Sequence, residues 1–401
     1  MKKFYISFCL ALAAASAMAT ITGDGYYRVQ NYGSGRWASL IDNIGNIDMV
    51  AGSADVHALQ LWSNTDSTLI DPASIVYITS EGGKKYNVAA QGTSIEDLIG
   101  YPVNLGEEGI TDDGQTIYNI YGTKSGVTKY IGDAEIRVSK EYGIATSEPS
   151  TAPAYRKFRQ WLIYPVNIET FNYFGAEPQV TAKGKSYTTM YASFGYQPYS
   201  SGVKAYYVGR VGWGLAEMIE ITGPVPPGTP VIIECAGSSS ADNKFQLITN
   251  KPSAITSNAL SGVYFDYHNE GRSNFIEYNP NTMRVLGKCS DGSLGFVVNN
   301  KITSIPANSA YLTVEPGSPA EFKLMDSATF TADVETVGAD NNSLSYSYGT
   351  VYSETSTQIS VMNMSGRTVA NGYGKSLNVS NLAKGIYIAT ANGKSLKFVV
   401  N

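Results

Sequence analysis

The chain has 401 residues, of which 40 are glycine and 29 are tyrosine, and only 16% of the residues are charged. Its formal net charge of −5 lacks the basic surface with which proteins neutralise nucleic-acid phosphates, so no nucleic-acid partner is expected. Tyrosine favours pleated sheets and glycine marks turns. The composition therefore predicts an all-β protein of two or three domains.

Residues 1–19 have the pattern of a secretory signal peptide. Two lysines begin it, residues 4–15 form a short apolar core, and Ala17-Met18-Ala19 is a small-residue cleavage site. Such a leader is too short to remain as a membrane span, so we expect a mature chain that starts near Thr20 and has no transmembrane segment. Removal of the two lysines changes the formal net charge from −5 to −7.

Residues 20–166 repeat one local pattern three times. Each copy is a strand, a Gly-rich hairpin turn, and a basic residue followed by an aromatic one. The aromatics are Trp37, Tyr86 and Tyr130, and the copies open near residues 26, 75 and 116. A repeat of this kind predicts three stacked units that share one core.

This segment resembles the ricin-type β-trefoil, whose repeats open with a Tyr-rich strand and close on Gln-x-Trp. Gln60-Leu61-Trp62 supplies that ending in the first unit, and Phe158-Arg159-Gln160-Trp161 approximates it in the third, whereas the second unit lacks it. The resemblance implies sugar binding. In such lectins an acidic residue soon after the hairpin aromatic accepts hydrogen bonds from sugar hydroxyls, and a nearby aromatic stacks on the ring.

By that resemblance, the candidate ligand-binding residues lie in two of the three units. Tyr130 and Asp133 supply an aromatic and an acid in the third unit, and we expect Asp133 to be exposed at its turn. Trp37, with Asp42 and Asn43, forms the second candidate. The alternative is that the hairpin aromatics pack in the core, since buried aromatics are commoner than ligand platforms.

Residues 167–325 carry short strands at regular intervals, separated by Pro-Gly, Asp-Gly and Asn-Asn turns, which is typical of a β-sandwich. The Pro-rich run at 224–230 cannot enter a ladder, so a core strand should begin at Val231. The segment contains Tyr191-Ala192-Ser193-Phe194, the run at 225–233 and the run at 305–312, and through these it resembles a β-sandwich module of exported Bacteroidetes proteins. Cys235 and Cys289 are the pair that remains after leader removal, and an oxidising route predicts a disulfide between them.

Residues 326–350 are rich in Ser, Asn, Asp and Thr and are predicted to be a linker. Asp326-Ser327-Ala328 is similar to the Asp-Ser/Thr-small site of O-glycosylation in exported Bacteroidetes proteins. Ser327 is therefore a candidate for glycosylation, and the alternative is that its hydroxyl is simply solvated.

Residues 351–401 alternate apolar and polar side chains between tight turns, which predicts a small antiparallel, Ig-like β domain. Three motifs stand out in order: the turn Met364-Ser365-Gly366, the segment Leu382-Ala383-Lys384-Gly385-Ile386-Tyr387, and the closing Gly393-Lys394-Ser395-Leu396-Lys397. They resemble the C-terminal sorting domain of cargo of the type IX (Por) secretion system, although the family more often has Pro at the place of Ala383. The alternative is an ordinary terminal strand cluster. The residues that carry the sorting motif are Gly366, Lys384, Gly385, Tyr387, Lys394 and Lys397.

The sorting resemblance implies that the chain passes through the periplasm, engages the type IX machinery and ends on the outer-membrane surface or in the medium. What the chain does there is a separate question. Only His57 and His268 could act as neutral-pH bases, and neither a Gly-x-Ser-x-Gly elbow nor a His-Glu-x-x-His pair occurs. The acidic run at 106–114 lacks the ligand spacing of a calcium loop, and no metal or cofactor is expected.

We therefore favour an exported, non-catalytic protein that binds a glycan or an extracellular host protein through its trefoil. Two alternatives stay open. One is a glycan-active hydrolase, because a pair of catalytic carboxylates meets only in the folded state. The other is a trefoil-type protease inhibitor.

Overall fold

The computed structural model describes residues 18–40, 59–62, 65–91, 93–94, 102–133, 144–147, 156–212, 214–264, 276–330, 344–347 and 349–400. Strands dominate these residues, which confirms the predicted all-β class. The chain divides into two compact units, which are residues 1–175 with 244–247, and residues 176–243 with 248–401. The predicted leader lies outside the described residues except for Met18 and Ala19. No helix among the described residues is long and apolar enough to cross a membrane.

The strands of residues 18–175 are β1 Gly25–Asn31, β2 Trp37–Leu40, β3 Leu59–Trp62, β4 Val76–Gly82, β5 Lys85–Ala90, β6 Thr93–Ser94, β7 Asn104–Ile110, β8 Thr116–Lys124, β9 Val127–Asp133, β10 Ile144–Ser147, β11 Gln160–Pro165 and β12 Phe174–Gly175. The short helix α1 spans Thr65–Leu69, and 3-10 turns cover Pro72–Ser74 and Lys157–Arg159.

Six of these strands close into a ring. β1 pairs with β4, β4 with β5, β5 with β7, β7 with β8, β8 with β11, and β11 again with β1, all antiparallel. The strands β2 and β3 lie in the chain between β1 and β4, β6 lies between β5 and β7, and β9 and β10 lie between β8 and β11. The ring thus has three pairs of strands, each of which brackets extra strands.

The inside of the ring is apolar. Trp161 is fully buried there and donates its indole N–H to the Ile131 carbonyl at 2.9 Å. Branched aliphatic side chains dominate the wall around it, as expected for strands whose alternate residues all face one core. The side chains line a cavity of about 50 Å³, formed by Val29, Ala38, Val76, Ile78, Val88, Val103, Leu105, Ile120, Ile131, Trp161 and Ile163.

The ring places the second predicted unit differently. The strand near residue 75 is β4, which pairs with β1, whereas β5 occupies the place in the ring that corresponds to β1 and β8. The β4–β5 hairpin therefore joins two pairs of strands and does not open a unit. Gly82 and Gly83 both have positive φ there, at 97° and 61°. Such a turn predicts a hairpin, but it does not tell whether the hairpin lies within a unit or between units.

A buried arginine ties the ring to the segment that follows it. The Arg28 side chain is fully buried, and it donates from Nε to Ser74 Oγ at 2.7 Å and from Nη1 to Asn172 Oδ1 at 2.9 Å. Nη1 also donates to the Tyr173 carbonyl at 2.7 Å. Burial lowers the pKa of the guanidinium to about 9, and Asp71 opposes that shift. These neutral acceptors satisfy a charged group that water does not reach.

The strands of residues 176–330 are β13 Val180–Ala182, β14 Lys185–Met190, β15 Gly195–Pro198, β16 Lys204–Gly212, β17 Leu215–Glu220, β18 Val231–Cys235, β19 Lys244–Ile248, β20 Leu260–Val263, β21 Met283–Lys288, β22 Leu294–Val297, β23 Ser309–Thr313 and β24 Glu321–Asp326. A 3-10 turn covers Ser240–Asp242. β19 pairs with β12 through Phe245 and Phe174, so that strand belongs chiefly to the first unit.

Ten strands of the second unit form one sheet in the order β13-β14-β18-β16-β17-β24-β22-β21-β23-β20. Its neighbours are antiparallel except β17 and β24, which run parallel. Ile232, Phe296 and Phe322 come from both halves of the sheet and share one buried cluster. β18 begins at Val231, as predicted from the prolines before it.

The predicted disulfide is not formed. Cys235 and Cys289 are both free and buried. Cys235 ends β18 opposite Ser186, whereas Cys289 follows β21, and four strands separate β18 from β21 in the sheet order. Burial raises the pKa of the Cys235 thiol to about 12, with a further contribution from Glu234, so this thiol stays protonated at neutral pH.

The predicted linker is shorter than 326–350. β24 extends to Asp326, residues 327–330 form a helical turn, and Phe330 is buried against Met325. Residues 331–343 lie outside the described residues, and the next strand begins at Leu344. Both ends of the predicted linker are therefore ordered structure.

The C-terminal domain consists of β25 Leu344–Ser347, β26 Thr350–Asn363, β27 Thr368–Asn378, β28 Gly385–Ala391 and β29 Lys394–Val400. β26 lies at its centre and pairs with β25, β27 and β28, and β28 pairs with β29. The domain thus begins before residue 351, because β25 is part of its sheet. Its core contains Val351, Ile359, Val361, Tyr387, Ala389 and Phe398.

Candidate functional site

Asp133 does not lie exposed at a turn, contrary to the prediction. It ends β9, its side chain is fully buried, and the Arg36 guanidinium grips both of its oxygens. Arg36 Nε donates to Asp133 Oδ2 at 3.0 Å, and Nη2 donates to Oδ1. A bidentate pair of this kind holds its carboxylate in place. Asp133 therefore joins the hairpins of the first and third units and does not face a ligand.

Trp37 is also a core residue. It is 3% exposed and packs with Ala19, Ile117, Leu162 and Tyr164. Its ring centroid lies 5.5 Å from that of Tyr164. The alternative that this aromatic packs in the core is the one that the structure favours. Its predicted partners, Asp42 and Asn43, lie outside the described residues.

Tyr130 lies nearer the surface than Trp37. It is half-buried in the middle of β9, directly opposite Tyr121 of β8, with their ring centroids 5.6 Å apart. Residues three apart in a regular strand point to opposite faces of the sheet. Tyr130 and Asp133 are three apart in a strand with unbroken register, so the structure does not bring them together.

An arginine adjoins Tyr130 instead of the predicted acid. The Arg159 guanidinium carbon lies 5.9 Å from the Tyr130 ring centroid, within the range of a cation–π contact. Gly132 makes this approach possible, because a Cβ at that position would lie 2.8 Å from the Phe158 carbonyl oxygen and 3.1 Å from Arg159 Cγ. We call Tyr121, Tyr130 and Arg159 the aromatic–arginine surface.

The acidic run at 106–114 forms the β7–β8 hairpin beside this surface. Glu108 Oε1 accepts from Arg156 Nε at 2.5 Å, and Glu108 Oε2 accepts from Gln160 Nε2 at 2.9 Å. Burial raises the pKa of this carboxyl group, but hydrogen bonds from Gln160 and Arg156 outweigh burial and the pKa is lowered. Glu108 is thus an ionised anchor for the segment that carries Arg159.

The roles of Arg36 and Arg159 are not apparent from the sequence, although both residues lie within its repeated patterns. Arg36 is the basic residue that precedes the hairpin aromatic in the first unit. Arg159 lies within the Gln-x-Trp-like ending of the third unit. Only folding of the first unit brings Arg36 to Asp133 and Arg159 to Tyr130, because the partners are distant in the chain.

The sorting-motif residues divide into two groups. Tyr387 is buried, stacks on Phe398 at 5.8 Å between ring centroids, and donates its hydroxyl to the Ala383 carbonyl at 2.8 Å. Gly366 has a φ of 79° in the turn between β26 and β27, which favours glycine. These residues maintain the fold of the domain.

The other motif residues are less buried than Tyr387. Lys384 and Lys394 are exposed, and Lys397 is half-buried. Gly385 begins β28, and Lys394 follows the tight turn of Asn392 and Gly393, both with positive φ. The exposed lysines are the side chains that a partner could contact.

Ser327 is exposed on the helical turn that follows β24. Its side chain hydrogen-bonds the Glu217 carboxylate and helps to lower the pKa of that group, after the larger contribution from Arg210. Asp326 accepts the Thr329 N–H at 2.9 Å and the Thr329 hydroxyl at 2.8 Å. The candidate glycosylation site is thus part of an ordered turn.

No group of three or more His, Cys, Asp or Glu side chains suited to hold a metal occurs in the described part of the chain. His57 and His268, the two potential neutral-pH bases, lie outside it. In the described part of the first unit, the aromatic–arginine surface is the candidate site, and the contacts of Glu108 with Arg156 and Gln160 lie next to it in the chain.

Residues 341–401 match the family model described as "Secretion system C-terminal sorting domain". The match covers the whole of the domain from β25 to β29, and its start at 341 agrees with the inclusion of Leu344–Ser347 in the sheet. The predicted sorting resemblance is confirmed, and it indicates export by type IX secretion.

No curated protein sequence matches the chain. One solved structure is titled "Structure and mode of action of a mosquitocidal holotoxin". Its alignment covers 95% of this chain and 45% of the chain in that structure, at 8% sequence identity and a TM-score of 0.26. The chain thus spans less than half the length of that structure, and a score this low does not establish a shared fold.

Proposed function

We propose that the protein is a non-catalytic binding protein that type IX secretion delivers to the cell surface or the medium. The observation that carries the export half is the sorting-domain match over residues 341–401. Export places the first unit, with its ring, outside the cell. There the protein is proposed to act by binding, and the candidate surface is the one formed by Tyr121, Tyr130 and Arg159.

The first unit is proposed to be a β-trefoil. Its support is the closed ring of six strands, in which the pairs β1–β4, β5–β7 and β8–β11 recur in chain order and each brackets further strands. The central sheet, with one core shared by its two halves, is proposed to be the β-sandwich module.

The ligand of the first unit is proposed to be a glycan that stacks on Tyr130. A sugar ring offers an apolar face for an aromatic and hydroxyl groups that need hydrogen-bond partners. Tyr130 is half-buried beside Tyr121, and the Arg159 guanidinium supplies donors next to its ring. Because these donors are cationic, we expect preference for glycans that carry a carboxylate or sulfate. An extracellular protein is the alternative partner.

Transplantation tests the export half. Residues 331–401 are fused to a reporter that a signal peptide carries to the periplasm of the native host. We expect the reporter to reach the surface or the medium, whereas the same reporter without the fusion stays in the periplasm. A fused reporter that stays inside contradicts the proposal.

A glycan array with the exported chain tests the binding half. We expect acidic glycans to bind without release of sugar, and Tyr130→Ala to reduce binding at least tenfold. Tyr352→Ala, which removes an exposed tyrosine of the sorting domain, is the matched control and should bind as the wild type does. Release of sugar would indicate a hydrolase, and protease inhibition without sugar binding would indicate an inhibitor.

A further inference from the structure

The segment that follows the predicted leader is built into the first unit from Ala19 onward. Ala19 is fully buried and packs with Trp37, Ile117, Leu162 and Tyr164. Two residues of the predicted leader are described, and they differ sharply. Met18 is 47% exposed, whereas Ala19 is 0% exposed.

Backbone hydrogen bonds fix the same segment against the start of β8. The Thr116 N–H donates to the Ala19 carbonyl at 2.9 Å, and the Ala19 N–H donates to Gln115 Oε1. Further along, the Ile21 N–H donates to the Tyr118 hydroxyl at 3.1 Å. Gln115 is buried, so the loss of Ala19 would leave its side-chain oxygen without this donor.

Of the sites with small residues at the required spacing, two lie next to the buried segment. Ala17-Met18-Ala19 places the cut after Ala19, and Ala15-Ser16-Ala17 places it after Ala17. A cut after Ala19 would remove a buried residue and both of its hydrogen bonds. It would also put a charged α-amino group at the edge of the core, whereas a cut after Ala17 puts that charge on exposed Met18.

We propose that the leader is removed after Ala17, so that the mature protein begins at Met18 and keeps Ala19 as part of its core. This inference rests on the proposed export, because only an exported chain meets a signal peptidase. It moves the processing site two residues from the one that the sequence analysis predicted. With this cut, the mature chain begins one residue before Ala19, the first buried residue in the described part of the first unit.

Mass spectrometry of the mature protein from the native host tests the inference. The N-terminal peptide should begin at Met18. A start at Thr20 in exported protein would overturn the inference and leave export intact. An intact Met1 would overturn export and the inference with it.

Two variants of the leader separate the cleavage sites. Ala15→Phe places a large side chain three residues before the cut at Ala17, and Ala14→Phe is a matched control that alters neither site. We expect Ala14→Phe to begin at Met18 and Ala15→Phe to be cut after Ala19 or to keep its leader. A Met18 start for Ala15→Phe, with unchanged yield, would contradict the assignment.

Thermal unfolding measures what the two residues contribute. Chains 18–401 and 20–401 are produced without a leader and heated under the same conditions. We expect chain 20–401 to unfold at a midpoint about 3 °C lower, because it lacks the buried Ala19 and its hydrogen bonds. Equal midpoints would show that Ala19 has no structural role, and the inference would lose its physical basis.

Discussion

The first unit and the sorting domain use similar local sequences in opposite ways. In both, charged and aromatic residues lie close together around tight turns. In the first unit the charged residue Asp133 is buried and paired with Arg36. In the sorting domain the aromatic residue Tyr387 is buried, and Lys384 is exposed.

The difference shows what a turn motif determines and what it leaves open. A tight turn fixes where the chain reverses, and the alternation after it fixes which residues share a face. Which face becomes the inside depends on partners elsewhere in the chain. Arg36 lies 97 residues from Asp133, so no local pattern announces the pair.

The largest predicted effect is that of Asp133→Ala. The substitution leaves the Arg36 guanidinium buried without its carboxylate, and loss of one partner of a buried pair costs about 3–5 kcal/mol of unfolding free energy. Urea unfolding followed by tryptophan fluorescence measures it, because Trp37 and Trp161 both lie in this unit.

The matched control is Glu81→Ala. Glu81 pairs with Lys85 in the same unit, but both side chains are at least 40% exposed, so the unfolding free energy should change by less than about 1 kcal/mol. Similar losses in the two variants would mean that the Asp133 pair behaves as a surface pair. The contrast between the first unit and the sorting domain would then fail.

Gly132→Ala should cost about 1–3 kcal/mol, since its Cβ would lie 2.8 Å from the Phe158 carbonyl oxygen, and overpacking has costs of that size. It should also weaken glycan binding, because Arg159 must move away from Tyr130. Gly109→Ala, with no atom within 4 Å of its Cβ, is the control. Unchanged stability and binding in Gly132→Ala would show that the close approach is dispensable.

Tyr387→Phe tests the sorting domain as a scaffold. The variant keeps the ring on Phe398 and loses the hydrogen bond to the Ala383 carbonyl, a loss of about 1 kcal/mol. Chemical denaturation of the variant is compared with that of Tyr373→Phe, whose tyrosine is 76% exposed and should have no effect. A larger loss for Tyr373→Phe would reverse the assignment of the buried face.

Low pH should reduce the unfolding free energy of the first unit, because Glu108 becomes protonated. Its pKa is lower in the folded than in the unfolded state, so its stabilising effect is complete above about pH 4.3 and is lost as the pH falls through the folded pKa. In the Glu108→Gln variant, the unfolding free energy should therefore fall less steeply as the pH is lowered below about 4.3. Identical pH profiles for the wild type and the variant would rule out this contribution.

The smallest effect on stability belongs to the exposed lysines. Lys384→Ala and Lys394→Ala should change the unfolding free energy by less than about 0.5 kcal/mol, because neither side chain is buried. Both should reduce the amount of protein exported if the machinery contacts them. Normal export of a variant that carries both Lys384→Ala and Lys394→Ala would mean that the recognised surface lies elsewhere on the domain.

Much of the fold follows from the sequence, because hairpin turns and alternation are local signals. The all-β class, the start of β18 at Val231 and the hairpins of the sorting domain are all of this kind. The sorting motif also lies in one continuous stretch, so the sequence identifies it.

The remaining features depend on distant contacts. The pairing of Cys235 with Cys289 failed because sequence gives the number of cysteines and not the distance between strands. The prediction of a linker over 326–350 was wrong at Phe330, because this side chain is buried against Met325 of the sheet. The prediction that Asp133 is exposed failed for the same reason, since its partner Arg36 comes from another hairpin.

Removal of residues 341–401 tests whether the C-terminal domain directs export. The truncated and full-length chains are expressed in the native host, and periplasm, outer membrane and medium are probed for each. We expect the full-length chain to reach the surface or the medium, whereas the truncated chain loses its leader and accumulates, folded, in the periplasm. A truncated chain that still reaches the surface or the medium in normal amounts would show that residues 341–401 do not direct export.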